Sequence, residues 1–213
     1  MKREGLASTG AGKATTYNGV LMKKDLKKLV LASFFDSTIK LNFGVNALSH
    51  LTTRIGAHRQ TFHRDKPVKI CPDELRFHTQ LVQASLIIAG PLGCGLYLFP
   101  GSHRPEYVYQ DSRVSWNAEE ECYTLTTVFN EKPRAVLKSI YVWSEPGTTL
   151  LFSGFLVHCG TGNDGTGNGD SGYPRLFAYV VAPHTEAHPN KLVGDQSITE
   201  DSSATRMAAL SRR

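Results

Sequence analysis

The segment from Pro146 to Asn163 reads PGTTLLFSGFLVHCGTGN. A Pro-Gly turn leads into an apolar run that reaches Phe152, and a bend at Gly154 separates this run from a second one, which ends at His158. Short apolar runs bounded by glycine and proline predict a β-strand, a tight bend and a second apolar segment. The imidazole of His158 is therefore expected at the rim of an apolar wall.

Short strands of this kind are predicted through most of the chain. Its 213 residues, 40% of them hydrophobic, are enough for one core and too few for two ordinary domains with linkers. Many short strands in one domain predict a sandwich or a barrel. The predicted strands span residues 81–88, 95–99, 123–129, 136–143, 148–152 and 176–181.

Other segments do not follow the strand pattern. The apolar residues between Leu21 and Phe35 recur at helical spacing, which predicts a short N-terminal amphipathic helix. Residues 104–121 are polar and aromatic, which is typical of a mobile loop over a site. Residues 1–16 are predicted to be disordered, and residues 185–213 form a polar C-terminal tail or a short helix. The folded domain is therefore expected over residues 17–184.

Composition excludes several classes of function. The net charge is +5, but the basic residues are scattered rather than gathered into one stripe, so no nucleic-acid partner is predicted. No apolar run is long enough for a membrane span or for the core of a signal peptide, so we expect a cytoplasmic protein without a membrane partner. The four cysteines form no CxxC pair, which indicates reduced thiols rather than a zinc knuckle.

Three residues offer a set of metal ligands. His63 and Asp65 are two apart, so in an extended strand both side chains project from one face. Either motif alone is weak, because His-x-Asp triplets are common and a lone His158 can be an ordinary core histidine. Together, two histidines and a carboxylate are the set that non-haem Fe(II) enzymes use, and they leave one face of an octahedron open.

The segment Gly93–Arg104, GCGLYLFPGSHR, resembles a motif of the phytanoyl-CoA dioxygenase-like family of Fe(II)/2-oxoglutarate-dependent oxygenases. The resemblance covers roughly residues 45–183 and implies a mainly β, double-stranded β-helix (jelly-roll, cupin-like) barrel. Matched to the family's motifs, His63 and Asp65 become the proximal iron ligands and His158 the distal one. Arg175 then binds the C5 carboxylate of 2-oxoglutarate.

Further residues are candidates for the cosubstrate pocket. Arg175 stands at the entry of a β-branched and aromatic strand, and Arg134 and Lys69 are weaker substitutes for it. Tyr97, Gln83 and Ser85 lie on strands predicted to line the barrel, so they are candidate hydrogen-bond donors to 2-oxoglutarate, although Tyr97 equally suits barrel packing. In the PGSHR turn, Ser102 and His103 are expected to fix the loop near the barrel mouth.

The resemblance implies a dioxygenase that uses Fe(II), O2 and 2-oxoglutarate to hydroxylate a small organic substrate, with release of succinate and CO2. One alternative is a cupin-like metal barrel that binds or isomerises a small molecule, although the first cupin motif requires a glutamate where this chain has Asp65. Another is a member of the oxygenase fold that has lost turnover. Binding of 2-oxoglutarate distinguishes the cupin-like reading from the other two.

Overall fold

The structure is a computed structural model, and it describes residues 4–8, 14–18, 44–65, 83–108, 111–129, 132–163, 173–181 and 198–210. These ranges contain thirteen β-strands and two short helices. Neither of those two helices is long and apolar enough to cross a membrane. The helix predicted between Leu21 and Phe35 lies outside the described residues.

The largest sheet has six strands, each paired antiparallel to its neighbours. They are β1 (Glu4–Ser8), β2 (Ala14–Asn18), β3 (Gly44–Thr53), β4 (Gln83–Ala89), β10 (Thr149–Ser153) and β12 (Tyr173–Val181). Their order across the sheet is β1-β2-β3-β12-β4-β10. Along β4, Ile87 and Ala89 face one side, and Ala84 and Leu86 belong to a separate core cluster on the other.

A three-stranded sheet packs against the first. It contains β5 (Cys94–Leu98), β9 (Ile140–Ser144) and β11 (His158–Gly160), in the antiparallel order β11-β5-β9. Cys94 and Leu96 of β5 share a buried cluster with Ile87 and Ala89 of β4. The core between the two sheets is therefore formed by alternate residues of facing strands.

A four-stranded sheet completes the architecture. Its strands are β6 (Asp111–Asn117), β7 (Cys122–Phe129), β8 (Lys132–Lys138) and β13 (Ile198–Glu200), in the order β13-β6-β7-β8, and β13 runs parallel to β6. Tyr123 and Leu125 of β7 join a second core cluster with Phe62, Val157 and Cys159. The prediction of a mainly β jelly-roll is confirmed.

The run predicted as one strand over residues 136–143 is two strands in different sheets. Ser139 separates β8 from β9 and is 8% exposed. Its amide donates to the carbonyl of Tyr123 at 2.8 Å, and its hydroxyl accepts the Tyr123 amide at 2.9 Å. These two bonds hold the corner at which the chain leaves the four-stranded sheet and enters the three-stranded one.

Two segments predicted to lack regular structure contain strands. Within residues 1–16, predicted to be disordered, the structure has β1 and the first part of β2, which lengthens the sheet at the edge of β3. Within residues 104–121, predicted as a mobile loop, it has a short helix α1 (Pro105–Val108) and β6. The alternation of buried Ser112 and Val114 with exposed neighbours supports β6, because one face of the strand packs on the core.

The C-terminal region also packs on the core. Beyond β13, the helix α2 (Ser202–Leu210) begins after Asp201, whose carboxylate accepts the amide hydrogens of Ser203 at 2.9 Å and Ala204 at 3.0 Å. Ile198 and Ala204 are buried in the cluster around Phe62. The sequence left open whether residues 185–213 form a tail or a short helix. The structure has the helix α2 in this region, together with the strand β13, which the sequence did not predict.

Candidate metal centre

The backbone holds His63 and His158 opposite each other. The two residues form an isolated antiparallel bridge, in which the amide of each donates to the carbonyl of the other at 3.0 Å. His158 also opens β11 and pairs with Leu98 of β5. The centroids of the two imidazole rings are 4.6 Å apart. The separation of the two histidines is therefore set by extended chain anchored to the three-stranded sheet.

Asp65 brings a carboxylate to the same point. It is 5% exposed, and its Oδ1 lies 3.8 Å from Nε2 of His63 while its Oδ2 lies 3.5 Å from Nε2 of His158. Ligand atoms of all three residues lie within 4.8 Å of one another. The structure therefore brings together the three residues that the sequence predicted, close enough to hold one metal ion.

Both imidazoles are oriented by backbone carbonyls. Nδ1 of His63 lies 2.7 Å from the carbonyl oxygen of Thr61, and Nδ1 of His158 lies 2.9 Å from that of Leu156. A carbonyl can only accept, so Nδ1 carries the hydrogen in each ring and Nε2 keeps a lone pair for a metal. Burial, opposed by Asp65, lowers the pKa of His158 to about 4. His158 is therefore neutral, and its contact with Asp65 is not an ion pair.

Two residues of the six-stranded sheet complete the surroundings of the ligands. Ser85 of β4 is fully buried, and its hydroxyl donates to Oδ2 of Asp65. The sequence predicted Ser85 as a cosubstrate donor, whereas the structure places it against the carboxylate of the candidate metal site. The ring of Phe152, on β10, meets the ring of His158 edge-on with centroids 4.7 Å apart. This apolar contact shields one side of His158 from water.

Arg175 is a buried cation with incomplete pairing. It is 5% exposed near the start of β12, and its Nη1 donates to Oγ1 of Thr53 at 2.9 Å. Its Nε has no hydrogen-bond partner, and no described carboxylate forms an ion pair with it. Burial lowers the pKa of Arg175, while Cys94 and Asp65 act in the opposite direction. A buried charge in this state is costly, and an anionic ligand would relieve the cost.

Gly160 packs closely against this guanidinium. It lies two residues after His158 on β11, so both residues face the same side of the strand. A Cβ atom at Gly160 would lie 3.1 Å from Nη2 of Arg175 and 2.6 Å from Oε1 of Gln60. Oε1 of Gln60 accepts the Gly160 amide hydrogen at 2.8 Å. Glycine at this position therefore lets the histidine strand pass close to Gln60 and Arg175, where a side chain would not fit.

Of the remaining candidates, Tyr97 is placed away from this cluster. Tyr97 lies opposite Cys159 on the face of β5 away from Leu98 and His158, and its ring packs edge-on against Tyr123 at 5.1 Å. Gln83 begins β4, and its backbone pairs with Val181. Arg134 lies on β8 in the four-stranded sheet, and Lys69 lies outside the described residues.

The PGSHR turn contributes through its serine. Ser102 is fully buried, and its hydroxyl accepts the amide hydrogen of Val157 at 2.8 Å, one residue before His158. His103 is exposed. Sequence reasoning anticipated a structural role for this turn, and the contact to Val157 shows which segment it holds. The sequence did not identify Gln60 and Arg59, because neither residue belongs to a local motif.

The comparisons with known proteins concern the fold. No family model and no curated protein matches the chain. The crystal structure of the non-heme alpha ketoglutarate dependent carbocyclase SnoK from nogalamycin biosynthesis is similar over 88% of this chain and 73% of SnoK, with 16% sequence identity and a TM-score of 0.50. The chain has the fold of SnoK.

Two further structures are more distant in shape. The non-heme alpha ketoglutarate dependent epimerase SnoN, also from nogalamycin biosynthesis, is matched over 90% of this chain and 80% of SnoN, with 15% identity and a TM-score of 0.48. EvdMO1 is matched over 77% of this chain, with 19% identity and a TM-score of 0.42, and the chain spans only 32% of its length. No conclusion about this chain rests on either of these two structures.

Proposed function

We propose that the chain is an Fe(II)- and 2-oxoglutarate-dependent dioxygenase that hydroxylates a small organic substrate with O2. The observation that carries the proposal is the buried cluster of His63, Asp65 and His158. Among the described residues this cluster has no fourth ligand, whereas a structural zinc site needs four. Two imidazoles and one carboxylate suit Fe(II) and leave positions open for a cosubstrate and O2.

The protein's own contribution at the metal is orientation. The carbonyl oxygens of Thr61 and Leu156 accept the Nδ1 hydrogens of His63 and His158, so Nε2 of each ring faces Asp65. Ser85 holds Oδ2 of Asp65 by a hydrogen bond, which fixes the third ligand against the other two. The chemistry that Fe(II) supplies when bound is activation of O2, coupled to oxidative decarboxylation of 2-oxoglutarate to succinate and CO2 and to oxidation of the substrate.

Arg175 is the residue that we assign to the far carboxylate of 2-oxoglutarate. Its guanidinium is buried, retains an unsatisfied Nε donor and lies close to the strand that begins at His158. A carboxylate bound to Arg175 would form a charge-assisted pair with a donor that otherwise has no partner. Burial lowers the pKa of His158 and the charge of Arg175 adds to that effect, while Asp65 acts to raise the pKa of Arg175, which supports a location close to the metal ligands.

The test is an anaerobic titration of metal-free protein with Fe(II) and then with 2-oxoglutarate, followed by visible absorption. Chelation of Fe(II) by the 2-oxo acid is expected to give a charge-transfer band in the wild type. His158→Ala should lose the band, because it loses a ligand. Arg175→Met should still give it, but only at much higher 2-oxoglutarate, because the far carboxylate has lost its partner. Lys138→Ala, at an exposed position, is the matched control.

The outcomes separate the possible activities. If iron binds and no band forms with 2-oxoglutarate in the wild type, 2-oxoglutarate is not the cosubstrate and the proposal is wrong. If His158→Ala binds iron as tightly as the wild type, the metal lies elsewhere. If the band forms but no small-molecule substrate leads to succinate, the chain binds 2-oxoglutarate without turnover and is a binding protein rather than an enzyme.

A further inference from the structure

A buried ion pair links the C-terminal strand to the segment that carries His63. The guanidinium of Arg59 donates from Nη1 to Oε1 of Glu200 at 3.0 Å and from Nη2 to Oε2 at 2.8 Å. The side chains of Arg59 and Glu200 are 3% and 10% exposed. This two-point geometry is the strongest form of the arginine–carboxylate pair. On its own, burial would lower the pKa of Arg59, but the contacts with Glu200 raise it, so Arg59 stays charged.

The pair reaches the residues next to both histidines. Oε1 of Glu200 also accepts the amide hydrogen of Phe62 at 2.7 Å, and Phe62 directly precedes His63. Nη1 of Arg59 lies 3.6 Å from Sγ of Cys159, which directly follows His158. The same guanidinium lies over the ring of Phe62, 4.7 Å from its centroid. One ion pair therefore contacts the chain on both sides of the His63–His158 bridge.

The pair lies behind the candidate metal site, not in it. Phe62 and Cys159 belong to the core cluster on the opposite face from the two imidazoles, together with Ile198 and Ala204 from β13 and α2. Nη2 of Arg59 lies 3.4 Å from the carbonyl oxygen of Ala204, within the first turn of α2. Within the described part of the C-terminal segment, residues 198–210, contacts are made to Arg59 and Phe62, which lie on the backbone from which the imidazoles project.

We infer that Glu200 is a positioning residue for the metal site, and that it acts through Arg59 and the Phe62 amide. This inference rests on the proposed metal site. The Phe62 amide belongs to the same peptide group as the Thr61 carbonyl that holds Nδ1 of His63. A carboxylate on β13 that fixes this peptide therefore helps to set the angle of the His63 ring relative to His158. Groups that orient metal ligands from behind commonly change metal affinity by about 10- to 100-fold when they are removed.

The experiment measures the affinity of the full-length, metal-free protein for Co(II), together with its thermal stability. Co(II) is stable in air, and its visible spectrum reports the coordination geometry. Glu200→Gln keeps an oxygen that can accept the Phe62 amide but loses the charge facing Arg59. Asp201→Ala is the matched control, because it removes the cap of α2 from the adjacent residue and leaves the Arg59–Glu200 pair in place.

We expect Glu200→Gln to remain folded, to bind Co(II) about tenfold or more weakly and to show an altered visible spectrum. Asp201→Ala should lose thermal stability and keep the Co(II) affinity and spectrum of the wild type. Unchanged Co(II) affinity in Glu200→Gln, or equal weakening in both variants, would overturn the inference, because the segment would then act on stability alone. If Glu200→Gln does not fold, Glu200→Asp, which keeps the charge and shortens the reach, provides the same comparison.

A fourth variant separates this inference from the proposed function. His158→Ala removes a ligand and should abolish the Co(II) spectrum. If the wild type binds no Co(II), or if His158→Ala binds it equally well, the metal site itself is wrong and the positioning role falls with it. If His158→Ala fails to bind while Glu200→Gln binds like the wild type, the metal site stands and only the positioning role is refuted.

Discussion

The two buried arginines predict opposite responses to the same substitution. Arg175 and Arg59 are 5% and 6% exposed, but Arg59 is paired with Glu200 and Arg175 has no ion-pair partner among the described residues. Methionine keeps much of the length of the arginine side chain and removes its charge. We therefore expect Arg175→Met to stabilise the protein in the absence of 2-oxoglutarate, and Arg59→Met to destabilise it.

The magnitudes follow from the contacts. At Arg175 the substitution removes a buried Nε without a partner, which costs the wild type about 1–3 kcal/mol, and it loses one hydrogen bond to Thr53, worth about 1 kcal/mol. The net gain should be about 1 kcal/mol, or about 2–4 °C in Tm for a chain of this size. At Arg59 the substitution also removes an unpartnered Nε, but it leaves Glu200 buried and uncompensated, which costs about 3–5 kcal/mol. The net loss should be about 2 kcal/mol, or about 4–8 °C in Tm.

Thermal unfolding of the two variants without metal or cosubstrate shows whether each substitution raises or lowers Tm. A 2-oxoglutarate titration with Mn(II) present measures the affinity for the cosubstrate. In that titration Arg175→Met should lose about 2–5 kcal/mol of binding free energy, which is at least about 30-fold in affinity. A residue that costs stability and supports binding belongs to a ligand site. If Arg175→Met instead destabilises the protein as much as Arg59→Met does, Arg175 has a structural partner and its assignment to 2-oxoglutarate is refuted.

Three other substitutions have defined outcomes. Asp201→Ala should lower the free energy of unfolding by about 1 kcal/mol. Burial alone would raise the pKa of Asp201, but hydrogen bonds from the first turn of α2 lower it. The stabilisation by Asp201 is therefore complete above the ordinary pKa of 3.8 and is lost as the pH falls through the lowered value. In urea melts, the difference in stability between Asp201→Ala and the wild type should be smaller at strongly acidic pH than at neutral pH. Gly160→Ala places a Cβ 2.6 Å from Oε1 of Gln60 and displaces the acceptor of the Gly160 amide, so thermal melts should show a loss of about 1–3 kcal/mol and titration should show weaker 2-oxoglutarate binding. Lys138→Ala breaks an exposed ion pair with Glu120, whose two side chains are 63% and 41% exposed, and should leave the urea midpoint unchanged.

Local pattern was sufficient where one face of a strand is buried or a turn is marked by glycine. The predicted strands 148–152 and 81–88 match β10 and β4 to within about two residues, whereas β11 begins at His158, where the second apolar run ends. The pattern was insufficient on β5, where Cys94, Gly95 and Leu96 are all buried because sheets cover both faces. Alternation disappears in such a strand, so the sequence could not tell that Tyr97 faces away from the histidines.

By itself, the sequence determined the residue types and spacings that make a metal site possible: His63 two residues before Asp65, a histidine at the end of an apolar run, and an arginine at the entry of a strand. These are local properties, because strand periodicity relates only neighbours along the chain. The tertiary structure alone decided that His63 faces His158, that Ser85 holds Asp65, and that Glu200 pairs with Arg59 across 141 positions. Such contacts join segments that fold together only when separate strands meet, and no local preference of either segment encodes its partner.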